Sequence, residues 1–563
     1  MWSKKSLCWS FIFFLAFLSL LITNFSCQEA PGSRLKFEIY FSASAHAEPI
    51  TGRVFVMISE SDEREPRLQA GSWSRSVPFF GLDVRDLKPG DVAVIDENVL
   101  GYPPNSLLDI PKGDYFVQGL INIYTQFNRS DGHVIWAHMD QWEGQQFNRS
   151  PGNLHSEVQG VHLDPEQGYT IKLILDEVIP PVEVPPDTEW VKHVKIQSKL
   201  LTEFWGYPIH IGAIVLLPKD YDEHPEVSYP VHYQQGHFSL RSPNGFRTEP
   251  PEDDDRRGRS GYEFYKAWIS EDFPRMFVVT IQHPCPYFDD SYAVNSANCG
   301  PFGDAIITEL IPYLEENFRM IPKPYARVLS GGSTGGWEAL ALQVFYPDFF
   351  GGSWPHFPDP IDFRYYILTN IYEDDNAFEK DFGWLTLERP FMRDIHGQVQ
   401  VTMRQLSQME AVLGSKGRSG QQLDIWQAVY GPVGEDGYPR DIWDKLTGKI
   451  DPEVAKYFKE NYDLVHILKR DWKTLGLKLK GKLHIYCGDM DNFYLNEAVY
   501  ELEEFLESTK DPYYEGTFGY GRPRKGHGWS PFERTTGELE RVMDGHIAKA
   551  APRGENTSQW KYK

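Results

Sequence analysis

Residues 327–340 read Arg-Val-Leu-Ser-Gly-Gly-Ser-Thr-Gly-Gly-Trp-Glu-Ala-Leu. An apolar run ends in four glycines within six residues, and a helix-forming run follows. Glycine supplies the backbone freedom for a turn too tight for side chains, so this stretch predicts a strand handing over directly to a helix. Ser333, the centre of Gly-x-Ser-x-Gly, then sits at the tip of the turn. The free amides and positive dipole end of the helix lie beside it. A motif this short also arises by chance in a chain with 47 glycines. The flanking strand and helix give it weight against the plainer alternative, a glycine-rich turn with a structural serine.

The surroundings agree. From residue 188 to about 550, short apolar runs (209–217, 230–233, 276–281, 326–329, 483–487) alternate with helical periods (305–318, 337–346). Strands alternating with helices predict an α/β fold, a mostly parallel sheet covered on both faces. The stretch 358–475 breaks the rhythm. It is rich in Asp, Tyr and Trp, holds helical pieces such as 452–461, and is expected to be a helical cap inserted over the C-terminal edge of the sheet. Ahead of residue 188, the linker 178–187 contains Pro180-Pro181 and Pro185-Pro186, and cannot hold a helix. Residues 35–177 carry alternating strands at 36–42, 54–59, 115–124 and 169–175 between Gly, Pro and Asp turns. That pattern predicts an all-β, sandwich-like, antiparallel domain.

The first 26 residues read as a signal peptide. Lys4 and Lys5 precede an apolar stretch, 7–22, shorter than the roughly 20 residues that cross a bilayer. A small residue before Cys27 resembles a bacterial lipobox, so a lipid anchor at Cys27, cleaved secretion and an uncleaved anchor all stay open. In each case the expected location is secreted, periplasmic or cell envelope, with membrane contact only through such an anchor. The formal charge is -24 and no basic stripe interleaves with aromatics, which excludes nucleic acid as a partner. Of five cysteines, Cys8 and Cys27 belong to the leader. Cys285 and Cys299 flank one loop, as a disulfide or as two thiols, and Cys487 lies in an apolar strand. There is no CxxC pair and no His-Glu-x-x-His, so no metal or organic cofactor is expected. Asp253-Asp254-Asp255 is read as a solvated loop ahead of a calcium site. Asp289 and Asp290, beside Tyr292 and Asn295, are read equally as pocket lining or as a structural loop. Sequons at Asn128, Asn148 and Asn556 matter only in a eukaryotic secretory host.

A serine hydroxyl needs a base. His527 lies in Lys525-Gly526-His527-Gly528-Trp529 after the β-like 513–520, on a loop free to reach Ser333; His484 and His546 sit in a strand and a helical run. The orienting acid belongs after the strand 483–487. Asp491 has the Gly-x-x-Asp spacing and comes first, Asp489 second, with Asp359 and Asp362 as more remote alternatives. An oxyanion hole is expected from the amide of Thr334 and that of His237 or Phe238, after the strand that ends in Gln234-Gln235-Gly236.

Tyr229-Pro230-Val231-His232-Tyr233 with Gly236, Gly300-Pro301-Phe302-Gly303-Asp304, and 327–336 resemble the putative esterase family, which includes esterase D and enterochelin esterase-like proteins. The resemblance covers about 195–358 and 475–548. It implies an α/β-hydrolase fold, carboxylic ester hydrolysis, and the roles nucleophile, acid and base for Ser333, Asp491 and His527. Gln235-Gly236-His237 departs from the family's His-Gly, and the insertion lengthens the Ser-to-Asp interval. The expected function is therefore a serine esterase acting on a small-molecule or carbohydrate-linked ester through an acyl-enzyme. A serine peptidase on the same fold and a non-catalytic envelope binding protein are the alternatives. The whole reading requires the Ser333 hydroxyl to meet the His527 imidazole.

Overall fold

The computed structural model of the chain describes residues 34–562 except 166, 253 and 254. The expected signal peptide over 1–26, Cys27, and Asp253 and Asp254 fall outside the described residues. Asp255 caps a helix, its carboxylate accepting from the Gly258 amide at 2.8 Å.

Eight strands form the central sheet: β1 Val191–Ser198, β2 Ile209–Leu216, β3 Val231–Gln235, β4 Phe277–Gln282, β5 Arg327–Gly332, β6 Gly352–His356, β7 His484–Gly488 and β8 Thr517–Gly521. Their order across the sheet is β1-β2-β4-β3-β5-β6-β7-β8. β2 runs antiparallel to both β1 and β4. From β4 onward every pair is parallel. Parallel neighbours need crossovers. These contain α1 Arg256–Trp268 between β3 and β4, α2 Thr334–Phe345 between β5 and β6, α3 Leu464–Leu479 before β7, and α4 Leu495–Ser508 between β7 and β8; α5 Glu538–Ala550 follows β8. Successive residues of a strand point to opposite faces, and β6 shows both faces covered. Ser353 Oγ donates to the Ala339 carbonyl of α2 at 2.8 Å, while Trp354 meets His546 of α5 edge-on at 5.0 Å. β1 reads Val-Lys-His-Val-Lys-Ile-Gln-Ser. Its lysines suit a sheet edge and hid it from a search for apolar runs.

Residues 36–178 form a three-stranded and an eight-stranded sheet. Their shared core holds Phe37, Ile39, Val54, Val56, Ile58 and Ile121 among others. One pair, Lys36–Tyr40 with Thr170–Ile174, is parallel, which departs from the all-antiparallel expectation. The strand Ile50–Ser59 is almost wholly buried, because it faces two cores. Val54, Val56 and Ile58 point into the sandwich, whereas Phe55 and Met57 join the core that also contains β2 to β7.

The insertion after β6 was expected to be a helical cap. It is mixed: the hairpins Glu379–Asp381/Thr386–Glu388 and Pro390–Arg393/Val399–Thr402 precede the helices Met403–Leu413, Gln422–Tyr430 and Pro452–Asn461. Gly383 and Gly397, at φ 83° and 89°, turn the hairpins, a role that a search for helical period passes over. The insertion is held to the N-terminal sheets. Arg53 Nε donates to the Val412 carbonyl at 2.9 Å, Arg418 pairs with Asp83 at 2.9 Å, and Arg129 Nη1 donates to the Gly437 carbonyl at 3.0 Å. Cys285, Cys299 and Cys487 are buried free thiols. The disulfide alternative is thus not realised; Cys285 Sγ instead donates to the Asp290 carbonyl at 3.4 Å.

Candidate active site

The C-terminal ends of β3 and β5 to β8 share one edge of the sheet, the place where open α/β sheets present ligand sites. Ser333 joins β5 to α2 with φ 58° and ψ -121°, a conformation that a side-chain-bearing residue adopts only when its surroundings force it. The neighbouring glycines explain the force. A Cβ on Gly331 would lie 2.1 Å from the Gly335 carbonyl oxygen, and one on Gly335 would lie 2.1 Å from that of Gln235. The elbow closes only because both positions lack side chains. The Ser333 amide donates to the His356 carbonyl at 3.1 Å, and the Ser333 carbonyl accepts from Trp337 and Asp359 at 3.0 and 3.1 Å. Thr334 opens α2, so its amide has no acceptor within the helix.

His527 lies beyond β8. Its Nδ1 is 2.8 Å from Asp491 Oδ2, its own amide donates to Asn492 Oδ1 at 2.7 Å, and Asp491 is fully buried. The other carboxylate oxygen, Oδ1, accepts from the Phe493 amide at 2.8 Å. Asp489, the second choice for the acid, accepts from the Lys525 amide at 2.8 Å. It pins the histidine loop without touching the ring.

The Ser333 hydroxyl donates to Asp359 Oδ1 at 3.1 Å and makes no hydrogen bond to His527. Asp359 follows β6 and is buried. Its Oδ2 accepts from Tyr292 (2.6 Å), Thr334 Oγ1 (3.0 Å) and Gln422 Nε2 (3.2 Å). Trp426 Nε1 donates to the Tyr292 hydroxyl at 2.6 Å. Desolvation raises the Asp359 carboxyl, opposed by its donors and by the charge of His527. Ser333 therefore rests against the Asp359 carboxyl, and turning its side chain is needed to release the hydroxyl. Gln422 and Trp426 belong to the inserted helix Gln422–Tyr430, so the insertion completes this network.

Residues 208–356 match the model of the family described as "Putative esterase". This segment is similar to that family, and the chain is a carboxylic ester hydrolase. Among solved structures, a ferulic acid esterase is 15% identical, covering 64% of this chain and 99% of its own, with a TM-score of 0.35. The fluorophosphonate-binding serine hydrolase FphF of Staphylococcus aureus is 13% identical, covering 63% and 98%, with a TM-score of 0.33. An S-formylglutathione hydrolase from Agrobacterium tumefaciens is 12% identical, covering 65% and 98%, with a TM-score of 0.33. No curated protein sequence matches the chain.

In this esterase the imidazole is walled by aromatic rings. Phe357 and Phe493 meet His527 at 4.6 and 4.9 Å, both steeply inclined to it. Trp73, from the N-terminal sheets, packs on Phe493 at 5.6 Å and on Phe391 of the insertion at 5.3 Å. The N-terminal unit also touches the expected oxyanion loop, where Phe238 packs edge-on against Trp142 at 5.2 Å. The His237 ring turns away to Asp289 and Asp290. A cavity of about 570 Å³ borders the elbow, lined by Gln235, Gly236, Gly332, Phe357, Gly528 and Phe532 among others. Trp73, Phe357, Gln422 and Phe493 escaped the sequence analysis. Each is an aromatic or amide residue in a loop or helix of unremarkable pattern, and only the fold brings it to the site.

Proposed function

We propose that the protein is a secreted or envelope serine esterase. Ser333 Oγ attacks the acyl carbon of the ester while His527 takes its proton. Asp491 holds the imidazole by Nδ1 and stabilises the charge that forms on it. The oxyanion is met by the amides of Thr334 and of His237 or Phe238. His527 passes the proton to the departing alcohol, leaving an acyl-enzyme on Ser333. Water, deprotonated by the same imidazole, then releases the acid. The observation that carries this reading is the strained elbow at Ser333 together with a histidine already locked to a fully buried carboxylate 2.8 Å away. The Ser333–Asp359 hydrogen bond is the resting state, and substrate entry turns the hydroxyl toward His527; catalytic hydrogen bonds commonly tighten only in the substrate complex. The insertion acts as the cap over the site, and through Phe391 it joins Trp73 of the unit at 35–177 in backing the aromatic wall, which suits an aromatic or carbohydrate-linked ester. The leader supports export.

The test is labelling with a fluorophosphonate probe together with turnover of short p-nitrophenyl esters. Wild type is expected to label and turn over, and Ser333→Ala to do neither. Labelling of Ser333→Ala at the wild-type level ends the assignment.

A further inference from the structure

A second group of ionisable side chains lies beside the elbow, outside the proposed catalytic set. His237 follows β3, His283 begins the loop after β4, Asp289 and Asp290 lie within that loop, and Glu338 is on α2. His237 Nδ1 is 3.0 Å from Asp289 Oδ1 and 3.1 Å from Asp290 Oδ2. Glu338 Oε1 is 3.7 Å from His283 Nε2, with both side chains fully buried. One ring nitrogen carries at most one proton, so it cannot serve both aspartates fully. Among the described residues, neither oxygen of Glu338, nor Asp290 Oδ2, nor His283 Nε2 has a hydrogen-bond partner. Uncompensated buried carboxylates are costly. The charges acting most strongly on Asp290 and Glu338 are those of His237, His283 and neighbouring carboxylates, with no lysine or arginine among them.

We propose that His237, Asp289 and Asp290 bind a small divalent cation of the manganese type, beside the buried Glu338 of α2. The spacing fits. Ligand atoms about 2.1–2.2 Å from an octahedral ion and at right angles lie roughly 3.0 Å apart, and here they are 3.0 and 3.1 Å apart. Calcium, at about 2.4 Å, spreads neighbouring ligands to roughly 3.4 Å. Two carboxylates with one imidazole suit such a cation. His237 is 47% exposed and Asp289 20%, which leaves an entry path and room for water ligands. The cation gives the unpartnered Asp290 Oδ2 a partner and ties the His237–Phe238 segment to the β4 loop. The sequence analysis expects no metal; the ligands are scattered over residues 237–290 and share no spacing motif.

The experiment uses the full chain, stripped with a chelator, desalted, and equilibrated with manganese chloride. Bound metal is counted by mass spectrometry, affinity is measured by calorimetry, and melting temperature is recorded with and without metal. The expected result is about one equivalent bound and a higher melting temperature. His237→Ala and Asp290→Asn should each weaken binding at least about tenfold. His237, being half exposed, is replaced without disturbing the core, so loss of binding there is not loss of fold. Retention below about a tenth of an equivalent, absence of saturable heat, or equal binding by wild type and both variants overturns the proposal.

Discussion

Replacing Gly335 by alanine tests how the elbow and the oxyanion loop depend on each other. The new methyl group would lie 2.1 Å from the Gln235 carbonyl oxygen, 2.5 Å from its carbon and 2.9 Å from Gly236 Cα. All three are backbone atoms, so no side chain can swing aside. Restoring ordinary contact at about 3.4 Å requires β3 and α2 to part by roughly 1.3 Å, and β3 leads directly into Gly236-His237-Phe238. Overpacking of this size costs about 1–3 kcal/mol of stability. A displaced oxyanion donor costs about 3 kcal/mol in the transition state, or a kcat lower by roughly 100-fold. KM should change little, because the donor acts on charge that develops during reaction. The assay is p-nitrophenyl acetate hydrolysis alongside thermal melting. Gly545→Ala is the control: a Cβ there meets nothing within 4 Å, and in an exposed helix it should stabilise by about 0.5–1 kcal/mol. A Gly335→Ala protein with unchanged melting and a kcat within about threefold of wild type would refute this coupling.

Two further outcomes follow from the geometry. Asp491→Asn keeps an acceptor for the Phe493 amide but sets an NH2 group against His527 Nδ1, forcing the wrong tautomer. Ester turnover should fall by roughly 10⁴-fold while melting changes little, and retention of more than a tenth of the activity would remove Asp491 from its role. Acid stability should depend on His356 and His484, both pressed down to about 4 by burial. An unfolded histidine titrates near 6.5, so between about pH 6.5 and 4 the unfolded chain binds protons that the folded one refuses. Stability falls as pH drops through that window, by up to roughly 3 kcal/mol per ring. Denaturant unfolding at both ends of the window should show a smaller loss for His484→Gln than for wild type, and an equal loss would contradict the assignment.

The chain by itself determined the elements whose pattern is local. The glycines around Ser333 dictate a turn between strand and helix, because only residues without Cβ fit where Gly331 meets Gly335 and Gly335 meets Gln235. Apolar β-branched runs marked β2, β4 and β5, and glycines freed the loop that bears His527. The spacing from β7 singled out Asp491, and a 2.8 Å contact now joins it to that ring. Tertiary structure decided what depends on distant segments meeting. The burial of Ile50–Ser59 on both faces, the wall of Trp73, Phe493 and Phe357 about the imidazole, and the turn of the Ser333 hydroxyl toward Asp359 all join residues far apart in the chain. Period and spacing report the face a residue presents within its own element; they carry no information on which other element will cover that face.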